Sequence, residues 1–191
     1  MFCRILIPAL FAIGLHATTL EKLSVDVMVE KSTAIVRGKV LSGDGELRNG
    51  SIYTRYQVLV HESWKGTISA AQLELFVPGG SANGLRQSVP GAPILEPGEE
   101  YLFFLWAGAS GRYQIIGLSQ GLFSVVREGD GGVQLERPGA KEMILDAKTG
   151  RPMLDAGIRM PLGEMKTRVV TKLLELQATL ANKGAAQQAI K

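Results

Sequence analysis

The sequence predicts a mainly β chain: a small closed barrel of five to six strands with an N-terminal helix and a C-terminal amphipathic helix. Three observations carry that reading. Apolar residues recur at every second position through most of the stretch from Ala34 to Val126, the period of a half-buried strand. Twenty-three glycines and eight prolines fall mostly between those stretches, where turns are needed. The period lengthens to that of a helix only near the two ends.

The chain opens with an address. Met1-Phe2-Cys3-Arg4 gives a short positive start, Ile5 to Leu15 carries no charge, and His16-Ala17 follows, which is the layout of a secretory signal peptide over residues 1–17. Eleven apolar residues fall short of a bilayer core of about 30 Å, so cleavage is favoured over a retained anchor. Leu15 is not the small residue preferred there, which leaves the cleavage point open. Lipidation needs a cysteine after the apolar run, and Cys3 precedes it. The mature protein is therefore expected to be exported, periplasmic or secreted. Cys3 is also the only cysteine, so the processed chain has no thiol for a disulfide, a nucleophile or a zinc ligand.

Thr18 and Glu21 have capping-box spacing, which predicts a helix from Thr18 or Thr19 to about Lys31 with Leu20, Leu23 and Val27 on one face. At Ser32 the period becomes two, and Ala34, Val36, Gly38 and Val40 share a strand face. Gly43-Asp44-Gly45 and Asn49-Gly50 mark the following turn region. Ile52 to Trp64 is the longest strand, with Tyr56, Val58, Val60 and Trp64 inward and Arg55, Gln57, His61 and Ser63 outward. Gln72 to Val77 is the third strand. Residues 78–98 hold four prolines and five glycines, and such long loops are usually functional or disordered. The continuously apolar Tyr101 to Trp106 predicts a strand buried on both faces. Strands over Arg112 to Leu118, Gly121 to Arg127 and Val133 to Glu136 complete a barrel domain of residues 18–137. A peripheral loop with a short helical turn is expected over 138–161. The helix from Leu162 then lays Met165, Val169, Leu173, Leu176 and Leu180 along one stripe that packs back on the barrel, closing a segment of 138–183 before a flexible polar tail, 184–191. A β-sandwich remains the competing architecture.

The order of certain segments is distinctive: Ser32-Thr33-Ala34-Ile35-Val36-Arg37-Gly38-Lys39-Val40 opening a strand, Ile52-Tyr53-Thr54 leading to Trp64-Lys65-Gly66, and Leu95-Glu96-Pro97-Gly98-Glu99-Glu100-Tyr101-Leu102-Phe103-Phe104-Leu105. Over residues 20–126 this resembles the netrin-like domain, the OB-type barrel of tissue inhibitors of metalloproteinases, and a group of uncharacterised exported bacterial proteins. The resemblance implies an OB-like barrel and a protein-binding habit. Those inhibitors chelate the protease metal through a disulfide-bonded N-terminal cysteine, which this chain lacks, so neither that mechanism nor any inhibitory residue carries over.

Chemistry is sparse. After the leader, His61 is the one histidine, so a Ser–His–acid arrangement would have to use it, with Ser63 as partner, and a zinc site of several His or Cys ligands cannot be assembled within one chain. Glu99 and Glu100 point to opposite strand faces, a poor catalytic pair. No loop has calcium-hand or phosphate-loop spacing. Net charge is +3, and lysines and arginines are scattered among acids instead of forming a phosphate-binding stripe, which argues against nucleic acid. Arg86 and Gln87, on the long loop, are the first ligand-binding candidates, against the simpler role of tying the loop to the barrel. Trp106 ends its strand and is a third candidate, half-exposed as a stacking surface; Trp64 reads as core. Asn49-Gly50-Ser51 matches a glycosylation acceptor. No cofactor, catalytic residue or metal site is expected. The reading is of an exported non-catalytic interaction module whose barrel loops bind another exported protein or envelope component, with a hydrolase or a purely structural envelope protein as alternatives.

Overall fold

Two long antiparallel strands joined by a tight turn organise the structure. The computed structural model describes residues 19–188 except 69, 109, 130 and 141; the expected signal peptide lies outside the described residues. In chain order the elements are β1 (Thr19–Glu21), α1 (Val25–Lys31), β2 (Ala34–Arg48), β3 (Ser51–Lys65), β4 (Gln72–Pro78), β5 (Gly80–Ala82), β6 (Leu85–Gln87), β7 (Glu100–Ala107), β8 (Tyr113–Ile115), β9 (Leu122–Arg127), β10 (Val133–Arg137), β11 (Met143–Leu145), β12 (Pro152–Met153), β13 (Ile158–Pro161) and α2 (Leu162–Gln188). The chain is mainly β, with one large multi-stranded sheet and two helices.

Asn49 and Gly50, at φ 48° and 78°, make the β2–β3 turn. Two consecutive left-handed residues form the turn whose twist matches that of the flanking strands, and Asn-Gly is the pair that adopts it most readily. From that hairpin the pairing runs β3 to β4, β4 to β8 in parallel, β8 to β7, and β7 back to β2. The other edge of β7 is shared: Tyr101–Phe103 pair with β9 and Leu105–Ala107 with β8. β9, β10 and β13 then extend the sheet beyond β7.

Alternation along β7 feeds two apolar cores. Tyr101, Phe103 and Leu105 join Val36, Val40, Tyr56, Val58, Leu73, Leu75 and Val77 from the mutually paired strands. Leu102 and Phe104 face the other way and join Ile35, Phe123 and Leu135 against Met28 and Val29 of α1 and Met165 and Val169 of α2. Phe103 and Phe104 are both fully buried, on opposite faces, and burying each contributes about 2 kcal/mol. The apolar run is thus buried on both faces over Tyr101 to Leu105, as expected from sequence, while Trp106, at its end, is half-exposed.

Several expectations are corrected. Thr19–Glu21 is a strand, paired in parallel with β11, and the helix starts later: Ser24 is its N-cap, its Oγ accepting from the Val27 N–H at 3.2 Å. Gly43-Asp44-Gly45 is not a turn but part of β2, which runs unbroken to Arg48. The strand expected over Arg112 to Leu118 is only Tyr113–Ile115. Among the described residues, 138–161 contain three short strands, with a turn at 147–149 in which the Gly150 N–H donates to the Asp146 carbonyl at 2.9 Å. Their anchor is Asp155, whose carboxylate takes the Arg137 guanidinium through two nitrogens and the N–H groups of Ala140 and Gly157. Trp64 packs against the helix-side core, because β3 bulges at His61 and Trp64, which have no β2 partner in the register Val60↔Gly38, Glu62↔Arg37, Ser63↔Val36, Lys65↔Ile35. Each extra residue upsets strict alternation.

The C-terminal helix extends to Gln188, past the expected end at Lys183. Its apolar stripe packs only in part: Met165 and Val169 are fully buried, Leu176 is half-buried, and Leu180 is 69% exposed. No helix among the described residues is long and apolar enough to cross a membrane.

Candidate functional site

Side chains on the outer face of β3 and β4 build a cleft that local alternation alone would leave flat. Along β4, Leu73, Leu75 and Val77 go inward, so Phe76 must face outward between Glu74 and Pro78. Phe76 is nevertheless only 6% exposed. It is covered by Arg112, at the end of the β7–β8 loop, whose guanidinium carbon lies 5.2 Å from the ring centroid. A guanidinium placed over an aromatic ring is attracted by the negative face of that ring.

Two adjoining depressions share Phe76, Ser110 and Arg112. One, of about 160 Å³, lies between the β2–β3 turn and the β7–β8 loop and is lined by Glu46, Arg48, Asn49, Ser51, Tyr53 and Gln114 as well. The other, about 480 Å³, runs along the start of β4 past Ile68, Leu73 and Tyr113. Arg48 lies 3.8 Å from Glu46 and Arg55 lies 3.5 Å from Glu74. Arg112 forms no ion pair among the described residues.

A second polar cluster sits on the outer side of β2, β3 and β7. Glu100 accepts from Arg37 at 2.6 Å and from Arg127 at 2.8 Å, and faces His61 Nδ1 at 3.0 Å. Burial pushes its carboxyl up, but the His61 hydrogen bond and the Arg37 and Arg127 charges outweigh that and hold it below its ordinary value. Glu62 accepts from Trp64 Nε1, Lys166 and Arg37, which pull it down to about 2. These bonds join four strands, β2, β3, β7 and β9, to α2, a fastening arrangement.

The expected site residues fall in different places. Arg86 and Gln87 lie on β6, in a short hairpin with β5 turned by Asn83-Gly84. Gln87 Oε1 accepts from the Ile52 N–H at 2.7 Å, which ties the hairpin to β3. Arg86 is exposed beside a shallow depression with Thr54 and Ile94. Trp106 is 46% exposed and lines a separate, mostly apolar hollow with Lys31, Ile115 and Ile116. His61 and Ser63 do not act together: the Ser63 hydroxyl is directed at the carbonyls of Lys65 and Gly66. Asn49, the glycosylation candidate, sits at the turn bordering the polar depression. Among the described residues no group of three or more His, Cys, Asp and Glu side chains is placed to hold a metal ion.

Arg48, Tyr53, Phe76, Ser110 and Arg112 were not singled out by sequence reasoning. The signal available was Phe76, a large aromatic at an outward position of an alternating strand, which calls for a covering group. No family model, no curated protein and no solved structure matches the chain.

Proposed function

We propose that the chain is an exported, non-catalytic interaction module, an OB-type barrel of the netrin-like kind, which holds a protein or envelope component in the cleft between the β2–β3 turn and the β7–β8 loop. The pairing cycle supports the architecture. Counting β2, β3, β4, β7 and β8 as strands one to five, the neighbours run 1-2-3-5-4-1. OB barrels take their ligands on the face of strands two and three, between the one–two and four–five loops. The observation that carries the function is the position of the Arg112–Phe76 pair: it stands in that cleft, and no carboxylate among the described residues pairs with the Arg112 guanidinium.

A photoreactive residue at Ser110, compared with one at the 94%-exposed Leu154, tests the reading in the native envelope. A discrete crosslinked species from position 110 alone is the expected result. Equal labelling from both positions, or none from 110, overturns it. Fractionation of the tagged full chain tests export, which retention in the cytoplasm would refute. Turnover of a substrate by the purified protein, lost in His61→Ala, would replace the module with the hydrolase reading.

A further inference from the structure

We propose that the smaller depression is a carboxylate-binding subsite that takes the C-terminal carboxylate or an acidic side chain of a peptide, whose neighbouring residues run along the trough beside Ile68 and Leu73. The inference rests on the cleft being the binding site and goes further by fixing the chemistry of what binds.

The donor inventory points that way. Arg48 and Arg112 offer only donors. Asn49, Ser51, Tyr53, Ser110 and Gln114 each offer at least one, and Glu46 is the single side chain restricted to accepting. A cavity so furnished is complementary to a group with lone pairs and no hydrogens. Two guanidiniums against one carboxylate leave a single positive charge, which suits a monoanion. A dianionic phosphate would leave a net negative charge beside Glu46. Arg112 lies over Phe76, its guanidinium carbon 5.2 Å from the ring centroid, and its planar fork of donors is the group that can meet a carboxylate with two parallel bonds. The volume, about 160 Å³, admits such a group but not a large headgroup. Beyond the shared wall of Phe76, Ser110 and Arg112, the second depression widens to about 480 Å³ and turns partly apolar, with Ile68, Leu73 and Phe76. One side chain and its flanking backbone can lie there. The overall charge of the wider face is balanced, since Glu74 sits on Arg55. The preference is therefore local and belongs to Arg112.

The test is an amide-resolved NMR titration of the processed protein with four probes: acetyl-Gly-Leu with a free carboxylate, acetyl-Gly-Glu amide, acetyl-Gly-Leu amide, and inorganic phosphate. Saturable shifts at Gly50, Ser51, Ser110 and Gly111 are expected with the first, the second, or both, and the pair tells a chain terminus from an acidic side chain. The neutral amide and phosphate should bind at least tenfold more weakly. Arg112→Gln should weaken the preferred probe about ten- to a hundredfold, as loss of charge-assisted hydrogen bonds does. Arg48→Gln gives the same direction independently, and Arg112→Lys should recover only part. The inference is overturned if phosphate binds as tightly as the carboxylates, if the amide binds equally, if no probe shifts these amides at millimolar concentration, or if Arg112→Gln leaves the affinity unchanged. Crosslinking from position 110 that persists while every carboxylate probe fails would remove the ligand chemistry and keep the cleft. Failure of both would remove both.

Discussion

Replacing Asp155 with alanine should cost more stability than any surface change in this chain. Asp155 and Arg137 are almost sealed, with side chains 2% and 3% exposed, and Arg137 reaches the carboxylate at 2.5 and 3.0 Å. Removing the acid strands a buried guanidinium, whose Nε already has no partner among the described residues, and deprives the Ala140 and Gly157 N–H groups of their acceptor. Breaking such a pair from one side costs about 3–5 kcal/mol, a large part of a typical total of about 5–15 kcal/mol. The pH dependence isolates the same interaction. The Arg137 hydrogen bond, against the opposing effect of burial and with help from the Ala140 N–H, holds the carboxyl down to about 2 from 3.8. A depressed folded-state value stabilises the fold above the unfolded-state value and loses that contribution as pH falls toward 2. The ionisation contributes about 2 kcal/mol at neutral pH, of which about half remains at pH 3. Urea unfolding of the wild type and of Asp155→Asn from pH 7 to 2 reads it as a difference, which cancels the other titrating carboxylates. A difference that does not shrink on acidification, or an Asp155→Ala protein within about 1 kcal/mol of wild type at pH 7, would refute the reasoning.

Two further expectations concern packing. Met165→Ala empties a fully buried position between α2 and the sheet and should cost about 2–5 kcal/mol. Leu180→Ser, on the exposed part of the same stripe, should stay within about 0.5 kcal/mol of wild type by the same denaturation assay. Gly45→Ala would drive a Cβ into the Ser81 carbonyl, where the β5–β6 hairpin crosses β2. The hairpin must shift, costing about 1–3 kcal/mol, and tryptic cleavage after Arg86 should quicken.

By itself the sequence determined the local periods. Strand identity at β2, β3 and β4 follows from two-residue alternation, the turn region before β3 from its glycines and Asn49-Gly50, and both the strand at β7 and its double burial from an apolar run with no polar face. Those features are local because a strand's side chains alternate whatever lies across from it. Only the tertiary structure decided the rest, and for a common reason: each feature depends on what the chain meets from far away in sequence. The bulges at His61 and Trp64 are defined by the partner strand and redirect Trp64 to the other core. Short strands β1, β11 and β12 exist only because they find one another, with a buried ion pair to hold the segment. Phe76 is an outward aromatic on an alternating strand, and its burial depends on Arg112, 36 residues later in the numbering. The candidate cleft is made where the β2–β3 turn and the β7–β8 loop meet beside that pair.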